Sequence, residues 1–171
     1  MESIIVYQSL TGFTKTYANW IAEETGLRVM TLQEFAHSDI SYDHVVFGTY
    51  VRERHIEGAS VIRRILNRGK QVTIFAVGAC PEDLCDVEGL KASVDTTKPY
   101  DFFYMQGGLD LEELGALNWI IVRGTSKYLL NNENAGEREK KIGKMIQQSF
   151  DATDRKYIEP LIECLKNKGA V

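Results

Sequence analysis

Four short runs of bulky apolar residues, separated by stretches of helical periodicity, constrain this chain more than any other feature. Ile4-Ile5-Val6-Tyr7, His44-Val45-Val46-Phe47-Gly48, Val72-Thr73-Ile74-Phe75-Ala76-Val77-Gly78 and Asp101-Phe102-Phe103-Tyr104-Met105 are strand-length and rich in β-branched and aromatic side chains. The first three lack the polar alternation of a half-exposed strand, so both of their faces need cover. Such runs, joined by helical crossovers, build a parallel sheet between two helical layers, and the expected fold class is α/β. A weaker run, Leu27-Arg28-Val29-Met30-Thr31, alternates and suits an edge.

Between the runs, Tyr17, Ala18, Ile21 and Ala22 form a helical stripe that Gly26 can end. Val61, Ile62, Ile65 and Leu66 form another, ended by Gly69. The segment from Leu111 to Leu130 is apolar over much of its circumference, with Trp119, Ile120 and Ile121 at its centre. Residues 131–150 are polar and interrupted by Gly and Asn, and read as an exposed excursion. Asp154 is placed to cap a closing amphipathic helix through Tyr157, Ile158, Leu161, Ile162 and Leu165, with Pro160 either inside it or marking its start. The expectation is five strands and about five helices in one domain spanning 1–171, with no internal repeat.

Composition narrows the partners. The chain has 44% apolar and 26% charged residues and a net charge of −4, so nothing electrostatic calls for a nucleic acid. Residues 131–171 hold 8 basic and 7 acidic side chains, which leaves 12 basic against 17 acidic in residues 1–130. Three cysteines, Cys80, Cys85 and Cys164, make no disulfide framework, and the N-terminus carries no signal-peptide pattern, so a cytoplasmic location is expected. Cys80 and Cys85, with His37, His44 and His55, match no standard zinc or iron–sulfur spacing, and no metal site is expected.

The turn after the first run reads Gln8-Ser9-Leu10-Thr11-Gly12-Phe13-Thr14 and opens directly into a helix. A hydroxyl-rich turn at this place aims free backbone N–H groups at one point, where the helix dipole favours an anion. Ser9, Thr11 and Thr14 can add hydroxyl donors, and Gly12 permits a backbone shape or an approach that a β-carbon obstructs. The bland alternative is an ordinary capped helix start. No strand is followed by G-x-x-x-x-G-K-S/T, and Gly12 lacks the companions of G-x-G-x-x-G, which disfavours triphosphate hydrolysis and dinucleotide-fingerprint binding. The absence of Lys or Arg from residues 8–14 suits a monoester phosphate held by neutral donors.

Ser9-Leu10-Thr11-Gly12-Phe13-Thr14 after Ile4-Ile5-Val6-Tyr7 resembles the FMN phosphate loop of flavodoxins, written S/T-x-T-G-x-T, and the resemblance extends over nearly the whole chain. It implies a flavodoxin-like sheet in order 2-1-3-4-5 with FMN at the switch point beyond the carboxyl ends of the first and third strands. It also implies that the loops after the third and fourth strands flank the flavin ring. The first brings Thr49, Tyr50, Val51 and Arg52; the second, behind Val77 and Gly78, brings Ala79 and Cys80. Tyr50 can stack on the ring, or it is a surface tyrosine. Residues 79–99 contain no aromatic residue, where many electron-carrying flavodoxins place a tyrosine, so a substrate can lie against that flavin face.

Gly48, Val51, Arg52 and His55 resemble the G-x-x-(I/V)-R-x-x-H loop of the menaquinone-dependent protoporphyrinogen dehydrogenase group within the flavodoxin superfamily. Gly107-Gly108-Leu109-Asp110, the apolar helix behind it and Thr153-Asp154 agree with that group as well. The resemblance implies an FMN oxidoreductase that takes hydrogens from a small organic substrate and passes electrons to a quinone or another acceptor. Arg52, Arg54 and His55 can then grip substrate carboxylates, and Arg52 and His55 are the candidate catalytic residues; the alternative is a solvated loop neutralised by Glu53 and Glu57. A helix as apolar as 111–130 ordinarily means core; the sharper reading makes it the contact to a membrane surface, a partner protein or a second copy of the chain. Two function classes remain, a flavoenzyme and a flavodoxin-type electron carrier, beside a shared fold whose turn holds no FMN.

Overall fold

A computed structural model describes all residues, Met1–Val171. Five strands, β1 (Ser3–Tyr7), β2 (Arg28–Thr31), β3 (His44–Arg52), β5 (Gln71–Gly78) and β6 (Asp101–Gln106), form one parallel sheet in the order β2-β1-β3-β5-β6. The α/β flavodoxin-like class and the strand order are as the sequence implies. The alternating run Leu27–Thr31 is indeed the edge. Two-residue periodicity sends successive side chains to opposite faces and divides the core in two. Ile4, Val6, Val45, Phe47 and Ile74 pack under α3 (Ala59–Asn67) and α4 (Val87–Ala92), while Ile5, Val46, Phe75, Val77 and Met105 pack under α1 (Phe13–Thr25) and α7 (Glu159–Asn167).

Both readings of the C-terminal segment are realised. The Asp154 carboxylate accepts from the Lys156 N–H, 3.0 Å, and caps a short 3-10 turn, Arg155–Ile158. The α-helix starts only at Glu159, with Pro160 in its first turn, where a missing N–H has no helical partner to lose.

Three expectations need correction. The third strand does not stop at Gly48; it runs to Arg52 and turns back through Glu53-Arg54 into β4 (His55–Ile56), with Arg52 opposite His55. Glu53 has φ 55°, the left-handed value that a two-residue hairpin turn needs at its first position. Second, residues 131–150 hold α6 (Glu137–Met145) and β8 (Phe150–Asp151), which pairs antiparallel with β7 (Gly108–Leu109). Their polar sequence hides a narrow inner face: Gly143 meets the Leu129 and Leu130 side chains, and its carbonyl accepts from the buried Ser126 hydroxyl at 2.7 Å. Third, the apolar helix, α5 (Gly115–Asn131), starts four residues later than its apolar run and is not core. Ser126 is its one buried residue, while Leu117 is 72% and Ile120 59% exposed. α2 (Leu32–Ala36), capped by Thr31 and Glu34, follows the edge strand β2. No helix is long and apolar enough to cross a membrane.

Candidate cofactor site

The hydroxyl-rich turn stands at the carboxyl end of β1, between the edge strand β2 and the central strand β3. Gln8 anchors it: its N–H donates to the Gly48 carbonyl, 3.0 Å, and its Nε2 to Thr49 Oγ1, 3.1 Å. Gly12 has φ 90° and caps α1 with no side chain bonded to the helix end. A β-carbon there would meet nothing within 4 Å, so the requirement is for backbone shape and not for close approach. Ser9 Oγ accepts from the Gly12 N–H, 3.1 Å, which fixes the turn internally.

The first helical bond runs from the Thr16 N–H to the Gly12 carbonyl, 3.0 Å, so the N–H groups of Phe13, Thr14 and Lys15 lie ahead of any helical acceptor. Thr14 supplies a second, independent indication. Five polar side chains are buried, Thr14, His44, Thr49, Thr73 and Ser126. The last four are hydrogen-bonded within the chain, and the Thr14 hydroxyl is not. No side-chain polar atom is wholly enclosed without a partner, so the Thr14 oxygen keeps a narrow opening although the residue is only 2% exposed. An acceptor of hydrogen bonds placed there satisfies both the orphan amides and this hydroxyl. Thr11 is half-buried and Leu10 is exposed at the rim. Phe13 turns away from the open side, and β-carbons on Gly107 or Gly108 would lie 3.1 Å and 2.6 Å from its side chain.

The β3–β4 hairpin stands beside the turn. Thr49 is fully buried, and its hydroxyl is used internally, donating to the Glu57 carbonyl at 2.7 Å. Val51 packs on the core below. Tyr50 and Arg52 share the opposite face. Tyr50 is half-buried, and burial, with the Glu57 charge next in size, raises its phenol above the ordinary tyrosine value. Arg52 lies 3.6 Å from the Glu57 carboxylate and donates to Asn118 on α5 at 3.3 Å, so it is shared among neighbours already in the chain. Arg54 and His55 are exposed on the outer hairpin. His44 is buried against Thr73, His37 ends α2, and the three histidines converge nowhere.

Across from the hairpin, Val77 and Gly78 are the last residues of β5, paired with Tyr50 and Met105 and with Gln106. Ala79 and Cys80 are half-buried behind them, and the Cys80 carbonyl accepts from the Tyr104 hydroxyl at 2.5 Å. Burial pushes the Cys80 thiol up to about 11, which leaves it protonated and a poor nucleophile. The region 79–99 holds a 3-10 turn, Glu82–Leu84, followed by α4. A cleft of about 550 Å³ opens here, lined by Pro81, Glu82, Asp83, Gln106 and Tyr157. Tyr157 comes from the C-terminal 3-10 turn, far along the chain, and no local signal marks it.

The α5–α6 hairpin ties the two flanks together. Arg52 holds α5 from the β3–β4 side, and Arg138 on α6 donates to the Leu84 carbonyl, 2.8 Å, on the other. Asn118 and Arg138 escape a sequence reading because their partners lie 66 and 54 residues away.

With this geometry in view, residues 4–136 match the model of the flavodoxin domain family. The chain belongs to that family, and with it to the flavin-binding redox domains. Among solved structures it is similar to a putative flavoprotein from Bacteroides uniformis, with TM-score 0.45 and 14% identity over 70% of this chain and 97% of that one. It is also similar to a mutant flavo di-iron protein from Thermotoga maritima, with TM-score 0.45 and 15% identity over 97% of this chain and 35% of that one. No curated protein sequence matches the chain.

Proposed function

We propose that this chain is an FMN-dependent oxidoreductase of the menaquinone-dependent protoporphyrinogen dehydrogenase type, moving electrons between a small organic substrate and a quinone or similar acceptor. The observation that carries the cofactor assignment is the buried Thr14 hydroxyl without a partner beside the free amides of α1. Ser9, Leu10, Thr11, Gly12, Phe13 and Thr14 would hold the phosphate, with Gly12 shaping the backbone and Thr14 donating its hydroxyl. Thr49 to Arg52 and Val77 to Cys80 flank the ring position, where Tyr50 offers an aromatic face and backbone amides tune cofactor electronics. Bound FMN supplies the redox chemistry; the protein binds, orients and limits access.

An enzyme is favoured over a carrier by what surrounds that position. The residues directly after β5 are small and non-aromatic, and the adjoining cleft of about 550 Å³ gives a substrate room to lie at short range. The α5–α6 hairpin, bonded to both flanks, walls the same end of the sheet. Leu117, Ile120 and Tyr128 on α5 are exposed, which supports contact with a membrane surface, where a lipophilic quinone is found.

The test is the visible spectrum of the purified chain, followed by reductive titration and assay with a quinone. A flavin spectrum, reduction in a two-electron step and quinone turnover are expected. Reduction in stable one-electron steps without quinone turnover would assign the carrier role instead, and a colourless protein that takes up no FMN would remove the assignment.

A further inference from the structure

The helix α5 is apolar over much of its circumference, and the chain covers only one side of it. Ser126 is its one buried residue, and Leu129 and Leu130 on the same side meet Gly143 of α6. Leu117, Ile121 and Tyr128 recur at spacings of four and seven residues, which aligns them on one stripe opposite Ser126, with Ile120 at its margin. Five of the eight large apolar side chains exposed anywhere in the chain belong to this one helix, so its outer side needs a cover that the chain does not supply. No helix is long and apolar enough to span a bilayer, which leaves a contact along the surface of one.

Charge selects among the possible covers. α5 contains Arg123 and Lys127 and no acidic residue. Lys127 lines a hollow of about 450 Å³ together with Gly124 and Tyr128, so it borders the apolar stripe. The Arg123 guanidinium lies 4.9 Å from the ring centre of Trp119, itself 40% exposed. Residues 115–145, the α5–α6 hairpin, hold 6 basic and 3 acidic side chains, a net +3, which leaves −7 for the rest of a chain of net charge −4. None of those six basic side chains forms an ion pair. Pairing with a second α5 would set cation against cation, with no acid on either helix to answer it. A bilayer with anionic headgroups answers both features, since it takes apolar side chains at its acyl boundary and Lys, Arg and Trp at headgroup level.

Resting on the membrane contact proposed above, but not on the flavin, we propose that the α5–α6 hairpin is an interfacial anchor selective for anionic lipid. The outer stripe of α5 enters the surface, with Arg123 and Lys127 at the phosphates. The remaining chain, which carries the negative balance, is repelled from that surface, so charge also sets the orientation. Arg52 bonds to α5 and Arg138 on α6 to Leu84, so the anchor is tied to both flanks of the candidate cofactor site.

The full chain is mixed with vesicles of pure phosphatidylcholine and of an equal mixture with phosphatidylglycerol, and binding is read by flotation. Binding to the anionic vesicles alone, lost on raising the salt, is expected. Lys127→Gln and Lys141→Gln, both at exposed positions, should each weaken it about fivefold, and Ile120→Gln about tenfold. In Trp20→Phe, which leaves Trp119 as the sole tryptophan, emission should shift to the blue with anionic vesicles. Equal binding to both vesicle types, binding indifferent to salt and to the lysine variants, or no binding overturns the proposal. A dimer seen by light scattering that Ile120→Gln dissociates, without vesicle binding, overturns it and gives the face to a second copy. FMN uptake is measured on the same preparations: uptake without vesicle binding removes the anchor and keeps the cofactor reading, whereas vesicle binding by a chain that takes up no FMN does the reverse.

Discussion

Arg52, the last residue of β3, donates across 3.3 Å to the side-chain carbonyl of Asn118 on α5. The bond joins a sheet strand to a helix that is otherwise mostly exposed. Both groups face solvent, so the pair is worth at most about 1 kcal/mol, and Arg52→Ala should lower the melting temperature by no more than a few degrees. Its local effect should be larger. Amide exchange in the first turns of α5 is expected to rise in Arg52→Ala, measured by hydrogen exchange; an α5 protected as before would mean that the helix is held by α6 alone.

Thr14→Val tests the phosphate turn directly. The two side chains are nearly equal in volume, and the site is 2% exposed, so packing is preserved. The hydroxyl has no partner in the ligand-free chain, and its removal should leave apo stability unchanged or raise it by up to about 1 kcal/mol. FMN affinity should fall about tenfold, the loss of one hydrogen bond to a charged group. Equal affinity in a fluorescence titration would show that the hydroxyl does not face the phosphate.

Gly12→Ala probes backbone shape. With φ at 90° and no atom near the added carbon, the cost is strain alone, about 1–2 kcal/mol. Urea denaturation should show that loss, together with weaker FMN binding. A neutral substitution would mean that the turn relaxes without penalty.

His44 sets a pH dependence far from the site. Its Nε2 bonds to Thr73 Oγ1, 3.0 Å, and that hydroxyl donates onward to Asp101, 3.0 Å, so the imidazole is neutral and protonated at Nε2. Burial, then the Lys168 charge, lowers it from 6.5 to about 4. Below pH 6.5 the unfolded chain binds a proton that the folded chain refuses, so stability falls as pH drops from 6.5 toward 4 and is flat above 6.5. The contribution is on the order of 3 kcal/mol over that window. In His44→Gln, which cannot titrate, the wild-type excess slope should vanish in urea titrations at pH 7 and pH 5. Parallel slopes would place the titration elsewhere.

Leu117 is 72% exposed on α5, so Leu117→Glu should change stability by less than about 0.5 kcal/mol. Co-sedimentation with anionic lipid vesicles should decline in this variant if α5 meets a membrane. Undiminished co-sedimentation would exclude this face from the contact.

The five parallel strands and the position of the turn were legible because each rests on short-range patterns, whereas the strand order came from the resemblance to flavodoxins. Buried strands show as unbroken apolar runs, and a helix start shows as clustered hydroxyls with a glycine. The full length of β3 was not, because Thr49–Arg52 is held by pairing to Val77 and Ile56 and not by its own apolar character. The length of α6 was hidden for a related reason: its contact face reduces to Gly143 and a few neighbours in a run rich in Lys and Glu.

Sequence by itself determined that this chain builds a doubly covered parallel sheet with a hydroxyl-rich, glycine-bearing turn between its first strand and first helix, since local periodicity and turn chemistry act within a few residues. Only the tertiary structure decided which hydroxyls remain free. Ser9 is used by the turn, Thr49 by Glu57, and Thr14 by nothing. Whether a polar group is satisfied depends on partners brought up by folding from elsewhere in the chain, and the same holds for Tyr157 and Arg138, which reach the site's flank from the last third of the molecule.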